Sequence, residues 1–368
     1  MRIEATDRRA FSRRDYIALV IICLVLAGLL LPKLLRIKDY SEQTQSKNNL
    51  KSILLAVCSY EAAYSKLPPL MGGGSTSNSP TQDFHIAGGS LRESKIVGPL
   101  HIMILPYLED SPLYASMATH DASGLTIPST IFDGKPAFQY VIKSYVNPLD
   151  PSQKLGLDEK GRGVCSYAAN AQLFASTNKS GLITEELTGN SNQFDRGLAL
   201  DKIPDGSSHT IAFSEKFGSC GNGGSLWSAG ILEKDKIYKE VPANTAKDYS
   251  SKISNESKDD RYYWPVFGLG GGASLPPAVY GANPASNPAS RVIFQVQPDF
   301  QMHQGFNDQL NKQGCDAFRA NSTGSSQIIV GMADGSVLSL RIDIVPQIWF
   351  YAIYPDDGTN WQPESLAP

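Results

Sequence analysis

Residues 16–35, YIALVIICLVLAGLLLPKLL, form an apolar run whose one charge, Lys33, sits near its far end. About 20 residues rising 1.5 Å each cover about 30 Å, the thickness of a bilayer's hydrocarbon core. A discarded secretory signal usually has an apolar region of about 7–15 residues, so this run is long for one. Arg2, Arg8, Arg9, Arg13 and Arg14 precede it, and Lys33, Arg36 and Lys38 follow. The excess of cations ahead of the run predicts a cytoplasmic N-terminus and an exported body.

Three readings of this N-terminus compete. The plainest is a single-pass anchor. A second is a twin-arginine export signal, because Ser12-Arg13-Arg14-Asp15-Tyr16-Ile17 fits its Ser-Arg-Arg-x-aromatic-aliphatic order. Such signals are usually less apolar, and no clear small-x-small cleavage site follows. A lipoprotein signal fails, since Ile22 stands before Cys23 where a small residue is needed. The third is a prepilin leader, cut ahead of a run that is then retained. Its pattern reads here as Ala10-Phe11-Ser12-Arg13-Arg14-Asp15, with Asp in place of the usual Glu. A carboxylate at the edge of the hydrocarbon zone is costly unless paired. In a pilin-like assembly its partner is the new N-terminal ammonium of the neighbouring subunit. In a lone anchor, Asp15 would pair with Arg13 or Arg14.

Helical patterning continues beyond the apolar run. Leu50, Ile53, Leu54, Val57, Tyr60 and Tyr64 fall at i, i+3, i+4, i+7 spacing, the stripe of an amphipathic helix. The expected organisation is a helix over 11–67, with a membrane span at about 16–35 and an amphipathic continuation over 41–66. Pro68 and Pro69 stop it, and Pro32 kinks it or marks its exit from the bilayer. The second half would bury its stripe against a sheet, which a plain tether has no need to do.

From 68 to 368 the chain predicts an exported, loop-rich α+β body. Its 32 Gly and 23 Pro favour turns and strands over a helical bundle. Residues 101–117 suggest a short helix pair, and 207–217 a strand after the Asp205-Gly206 turn. Residues 326–342 read as a hairpin about Asp334-Gly335. The Gly-, Pro- and Ser-rich stretch at about 219–290 reads as long surface insertions, and 71–82 as a polar loop.

The formal net charge of −3 argues against nucleic acid as a partner. The five cysteines contain no CxxC pair. One disulfide, such as Cys220 with Cys315, is compatible with an oxidising compartment, but spacing alone does not fix the pairing. His85, His101, His120, His209 and His303 are scattered and form no HExxH, and no GxSxG is present. Gly268–Ala273 imitates a dinucleotide loop, but Ser-Leu-Pro-Pro follows where a helix must start. Asp356, Asp357 and Asn360 offer oxygens for Ca²⁺, although turn formation is the favoured explanation of the Asp-Gly pairs. Trp227 with Tyr262, Tyr263 and Trp264 are a candidate contact surface for glycans or proteins, or else core. Glu215, after an apolar strand, is expected to be buried with a partner.

In order along the chain stand LLLP (29–32), SKNNLKSILLAVCSYEAAYSKLPP (46–69), ILPYLEDSPLY (104–114) and NPLDP (147–151). SYAANA (166–171), IPDGSSHTIAFSEK (203–216) and GMADGSV (331–337) follow. This ordered set resembles the prepilin-type, type II secretion pseudopilin-like proteins that carry a large C-terminal domain of unknown function. The resemblance marks Pro32, Asn48, Asn49, Asp205, Gly206, Asp334 and Gly335 as motif positions. It implies a leader at 1–10, cut between Ala10 and Phe11 by a prepilin peptidase, with Asp15 setting helix register. It departs where the family often has Cys and this chain has Ser46 and Asn147, and where a family His corresponds to Gly324.

The expectation is therefore a non-enzymatic assembly protein of the inner membrane. Its partners would be the membrane, the peptidase and like subunits or other pseudopilins, with no cofactor. The alternative is an anchored, non-polymerising binding module for glycans or proteins, and an enzyme ranks third.

Overall fold

The computed structural model describes residues 13–72, 98–108, 111–118, 131–175, 196–221, 223–229, 263–268, 293–301, 306–307, 312–356 and 358. The chain divides into two compact units, 1–45 and 46–368. The leader residues Ala10 and Phe11 lie outside the described residues, as does most of the polar loop at 71–82.

Helix α1 spans Arg13–Tyr64, and its backbone passes through Pro32 without ending. In the first unit the apolar side chains described between Tyr16 and Leu26 are exposed on every side of the helix. Among the described residues no helix is long and apolar enough to cross a membrane. The span expected at about 16–35 includes side chains outside the described set, among them Pro32, and the Asp15 side chain is likewise not described.

In the second unit the remainder of α1 is a core element. Leu50, Ile53, Leu54, Val57 and Tyr60 are buried, while Leu55 on the opposite side is exposed. Burying one such side chain is worth about 1.5–3 kcal/mol, so this stripe is a major part of the body's stability. The helix ends at Tyr64, three residues short of the expected end at 67. Ser65 turns into the left-handed region at φ 57° while its N–H still bonds the Glu61 carbonyl at 2.7 Å. A left-handed residue closes a helix before the prolines can.

The central sheet has five strands: β1 (Tyr167–Asn170), β2 (Ile211–Glu215), β3 (Val266–Phe267), β4 (Gln327–Met332) and β5 (Val337–Arg341). Their order is β5-β4-β2-β1-β3. All pairings are antiparallel except the short edge pair β1·β3. The expected 326–342 hairpin forms as β4–β5, its turn made by Gly335 at φ 86°. The expected strand after Asp205-Gly206 forms as β2. The helix pair expected at 101–117 forms as α2 (Leu100–Met103), a 3-10 turn at Leu105–Tyr107, and α3 (Ser111–Ala118).

Strand alternation sends residues to opposite faces of the sheet, and a register shift opposite Gly331 and Met332 puts Ile211 and Phe213 on different faces. Tyr167, Ala169, Phe213 and Ile329 join the α1 stripe in one core. Ala168, Ile211, Ile328, Val330 and Met332 join a second core with Trp349, Phe350 and Ile353. The latter three come from a C-terminal helix, Pro346–Ile353. Gly331 lies under α1, where a Cβ would stand 2.8 Å from Leu54 Cδ1. Glycine in mid-strand thus admits the helix at close range.

The stretch expected as surface insertions departs from that reading where it is described. Ser219–Cys220 pairs with Gly223–Gly224, Trp227 is fully buried, and Val266–Phe267 is a strand of the main sheet. Cys220 and Cys315 form a disulfide beside Phe217 and Ala317.

Candidate functional site

Strand β2 ends at Glu215, Lys216 follows it directly, and both charged residues are buried. Burial without compensation is costly for such groups, so their partners define the site. Glu215 Oε1 accepts from Asn147 Nδ2 at 2.8 Å, Thr323 Oγ1 at 3.2 Å and Ser46 Oγ at 3.4 Å. Glu215 Oε2 accepts the Ile329 N–H at 3.2 Å. The Tyr167 hydroxyl donates to Ser46 Oγ at 3.0 Å, extending the chain of bonds to β1. Desolvation pushes the Glu215 carboxyl up from 4.5 to about 7, against the lowering effect of these hydrogen bonds.

Lys216 is directed elsewhere. Its Nζ donates to the carbonyls of Trp264 and Val266 at 2.7 and 2.9 Å, tying β2 to the β3 edge. Burial drives its pKa down from 10.5 to about 7, with Asp316 pulling the other way.

The loop after Val146 supplies the third part. Asn147 Oδ1 accepts the Leu149 N–H at 2.9 Å, a local Asx turn that fixes its amide toward Glu215. Asp150, also buried, accepts from the Ser152 N–H and hydroxyl, the Ser166 hydroxyl and the Gly218 N–H, at 2.6–2.9 Å. Desolvation raises its carboxyl even so. His101 donates Nε2–H to the Tyr167 carbonyl at 2.7 Å, since a carbonyl can only accept. Its Nδ1 has no hydrogen-bond partner among the described residues, and burial lowers the ring to about 4, so it is neutral at pH 7.

Ser46, Asn147, Asp150, Ser166, Tyr167, Glu215 and Lys216 come from four of the stretches singled out in the sequence, 46–69, 147–151, 166–171 and 203–216, whereas His101, Thr323 and Ile329 come from elsewhere. Ser46 and Asn147, the two positions where cysteine is absent, converge on one carboxylate oxygen. The enclosure is complete for Glu215, Lys216 and Asp150. The arrangement suits holding segments together and binding a proton, rather than contact with a substrate.

The other singled-out residues are dispersed. Asn49 Nδ2 donates to the Val146 carbonyl at 2.8 Å, docking α1 on the same loop, whereas Asn48 is exposed. Asp205 accepts the Gly358 N–H at 2.9 Å beside the left-handed Gly206. Asp334 caps its own turn through Ser336, and Lys51 Nζ donates to the Gly335 carbonyl at 2.6 Å. Trp227 and Trp264 are core residues, with Trp227 Nε1 donating to the Tyr140 carbonyl at 2.9 Å. Tyr263 lies 4.2 Å under the Arg162 guanidinium, which also pairs with Asp158. Tyr262 lies outside the described residues. Of the calcium candidates, Asp356 is 3.8 Å from Arg196, and Asp357 and Asn360 lie outside the described residues. Among the described residues no group of three or more His, Cys, Asp or Glu is placed to hold a metal ion.

Lys216, Asp150, Ser166 and His101 were not legible as parts of a polar centre. The available signal was polar residues inside otherwise apolar strands, as in FSEK and CSYAAN.

A family model described as a protein of unknown function, DUF1559, matches residues 42–344. No curated protein and no solved structure matches the chain.

Proposed function

The chain belongs to the DUF1559 family of proteins of unknown function, and from that premise we propose that it is a pseudopilin-like assembly protein of the inner membrane. In this reading the leader is removed before Phe11 and the apolar run at about 16–35 spans the bilayer. The 68–368 body is displayed in the export compartment. Neighbouring copies or other pseudopilins pack through the run, with Asp15 meeting a new N-terminal amine.

One observation carries the proposal. The helix that bears the apolar run is also a core element of the body, with Leu50 and Ile53 wholly buried against the sheet. A tether is dispensable to the domain it holds, but this helix is not. Two further features support the reading. Apolar side chains exposed all round a helix call for lipid or a packing partner. The Cys220–Cys315 disulfide suits an oxidising compartment. The anchored binding-module alternative draws less support, because Trp227 and Trp264 are buried.

N-terminal sequencing and intact mass of the protein from native membrane fractions test this. A mature chain starting at Phe11 is expected, and one starting at Met1 overturns the proposal. Asp15→Ala should impair assembly while leaving the body folded.

A further inference from the structure

We propose that Glu215 is a proton-operated latch: protonation of its carboxyl fastens the second half of α1 and the 147–152 loop to the sheet, and ionisation loosens them. The inference goes beyond assembly and stands on the second unit alone, whether or not the N-terminal segment polymerises.

The geometry is that of a hub. One carboxyl group on β2 receives donors from α1 (Ser46), the 147–152 loop (Asn147), the segment before β4 (Thr323) and β4 itself (Ile329 N–H). None of these donors is charged, and among the described residues no cation forms an ion pair with Glu215. The titratable groups on the packed elements do not supply one. On β1, Tyr167 and the nearby Cys165 are both raised by burial and stay neutral. In the loop, the Asp150 carboxyl is occupied by Ser152, Ser166 and Gly218. On α1, Lys51 is engaged with the Gly335 carbonyl. Just after β2, Lys216 is held by the carbonyls of Trp264 and Val266.

An ionised Glu215 is therefore a buried charge held by dipoles, a costly state. The protonated carboxyl has somewhere to send its proton, because the Ser46 and Thr323 hydroxyls can each turn from donor to acceptor. The Asn147 amide and the Ile329 N–H continue to donate to carboxyl oxygens. No covalent change is involved; the proton comes from solvent and returns to it.

The linkage has a definite sign. With the folded carboxyl raised to about 7 from 4.5, the native chain holds a proton that the unfolded chain has lost across that interval. The unfolding constant should then rise with pH, by up to about tenfold per unit. His101 acts oppositely between about 4 and 6.5, so the wild-type slope alone is not diagnostic. Glu215→Gln mimics the protonated carboxyl, and the comparison of the two proteins isolates this one site.

The test is chemical denaturation of the full chain in detergent micelles at pH 5, 6, 7 and 8, for wild type and Glu215→Gln. The ratio of their unfolding constants should climb by about tenfold or more from pH 5 to 7 and level off above. Hydrogen exchange of residues 46–64, corrected for intrinsic rates, should lose protection with pH in wild type and not in the variant. A ratio constant across pH overturns the proposal. If Glu215→Gln does not fold, the carbon-13 shift of the Glu215 carboxyl in wild type decides. Titration near 7 supports the latch, and titration in the ordinary glutamate range overturns it.

Discussion

Ser46 on the long helix and Asn147 in a distant loop both donate to the same oxygen of Glu215, at 3.4 and 2.8 Å. The two bonds are unequal, and so are their roles. The Asn147 amide also receives the Leu149 N–H, so its loss opens the turn as well as the carboxylate contact.

Removing Asn147 should therefore cost more than removing Ser46. Asn147→Ala takes away the shortest donor to Glu215 Oε1 and leaves the Leu149 N–H without its acceptor, a loss of about 1–3 kcal/mol, against about 1 kcal/mol or less for a long hydroxyl contact. Denaturant titration of Asn147→Ala and Ser46→Ala should rank them in that order. Equal losses would place the carboxylate's support elsewhere.

Gly331 is where the helix rests on the sheet. Gly331→Ala sets a methyl group against Leu54, and overpacking of this kind costs about 1–3 kcal/mol. Leu54→Ala opens space at the same place and by itself costs about 2–5 kcal/mol. The double variant should be more stable than the sum of the two losses allows. Strict additivity in a double-mutant cycle would mean that the two residues do not touch.

The Cys220–Cys315 bridge closes 95 residues of chain. The chain-entropy model gives a stabilisation of up to about 4.7 kcal/mol for a loop of about this length, with about 2–4 typical. Reduction, or paired Cys220→Ser and Cys315→Ser substitution, should lower the melting temperature by several degrees, read by calorimetry. An unchanged melting temperature would mean that the bridge does not form in solution.

His101 sets the acid limit. Burial lowers its ring from 6.5 to about 4, so between those values the unfolded chain binds a proton that the native chain refuses. The stability contributed by the neutral ring is full above 6.5 and is lost as pH falls toward 4. His101→Gln keeps a donor for the Tyr167 carbonyl without the titration. Below pH 6 the wild type should lose stability faster than this variant, and parallel curves would count against a buried neutral ring.

Much of the architecture is written in local pattern. The 3.6-residue stripe from Leu50 to Tyr64 announced a one-sided helix, and Asp334-Gly335 between β-prone runs announced the hairpin, because both signals arise within a few residues. The polar centre is different in kind. Asn147, Ser166, Glu215 and Thr323 look like ordinary loop or strand residues until the fold brings them together, and no spacing rule encodes that meeting. The Ser219–Cys220 pairing and the strand at Val266 were hidden for another reason. The 219–290 stretch is rich in Gly, Ser and Pro, and composition of that kind reads as surface even where the chain dives into the core. The end of α1 was misplaced because the prolines are conspicuous in sequence, whereas a left-handed serine is not.

The bridge between Cys220 and Cys315 also fixes what a protease would reveal. A single cut between those cysteines leaves both pieces joined in air and separates them only after a reductant is added. Growth or shrinkage of the chain inside that closed loop would leave its two ends anchored side by side, a place where lineages can vary length while the frame is kept.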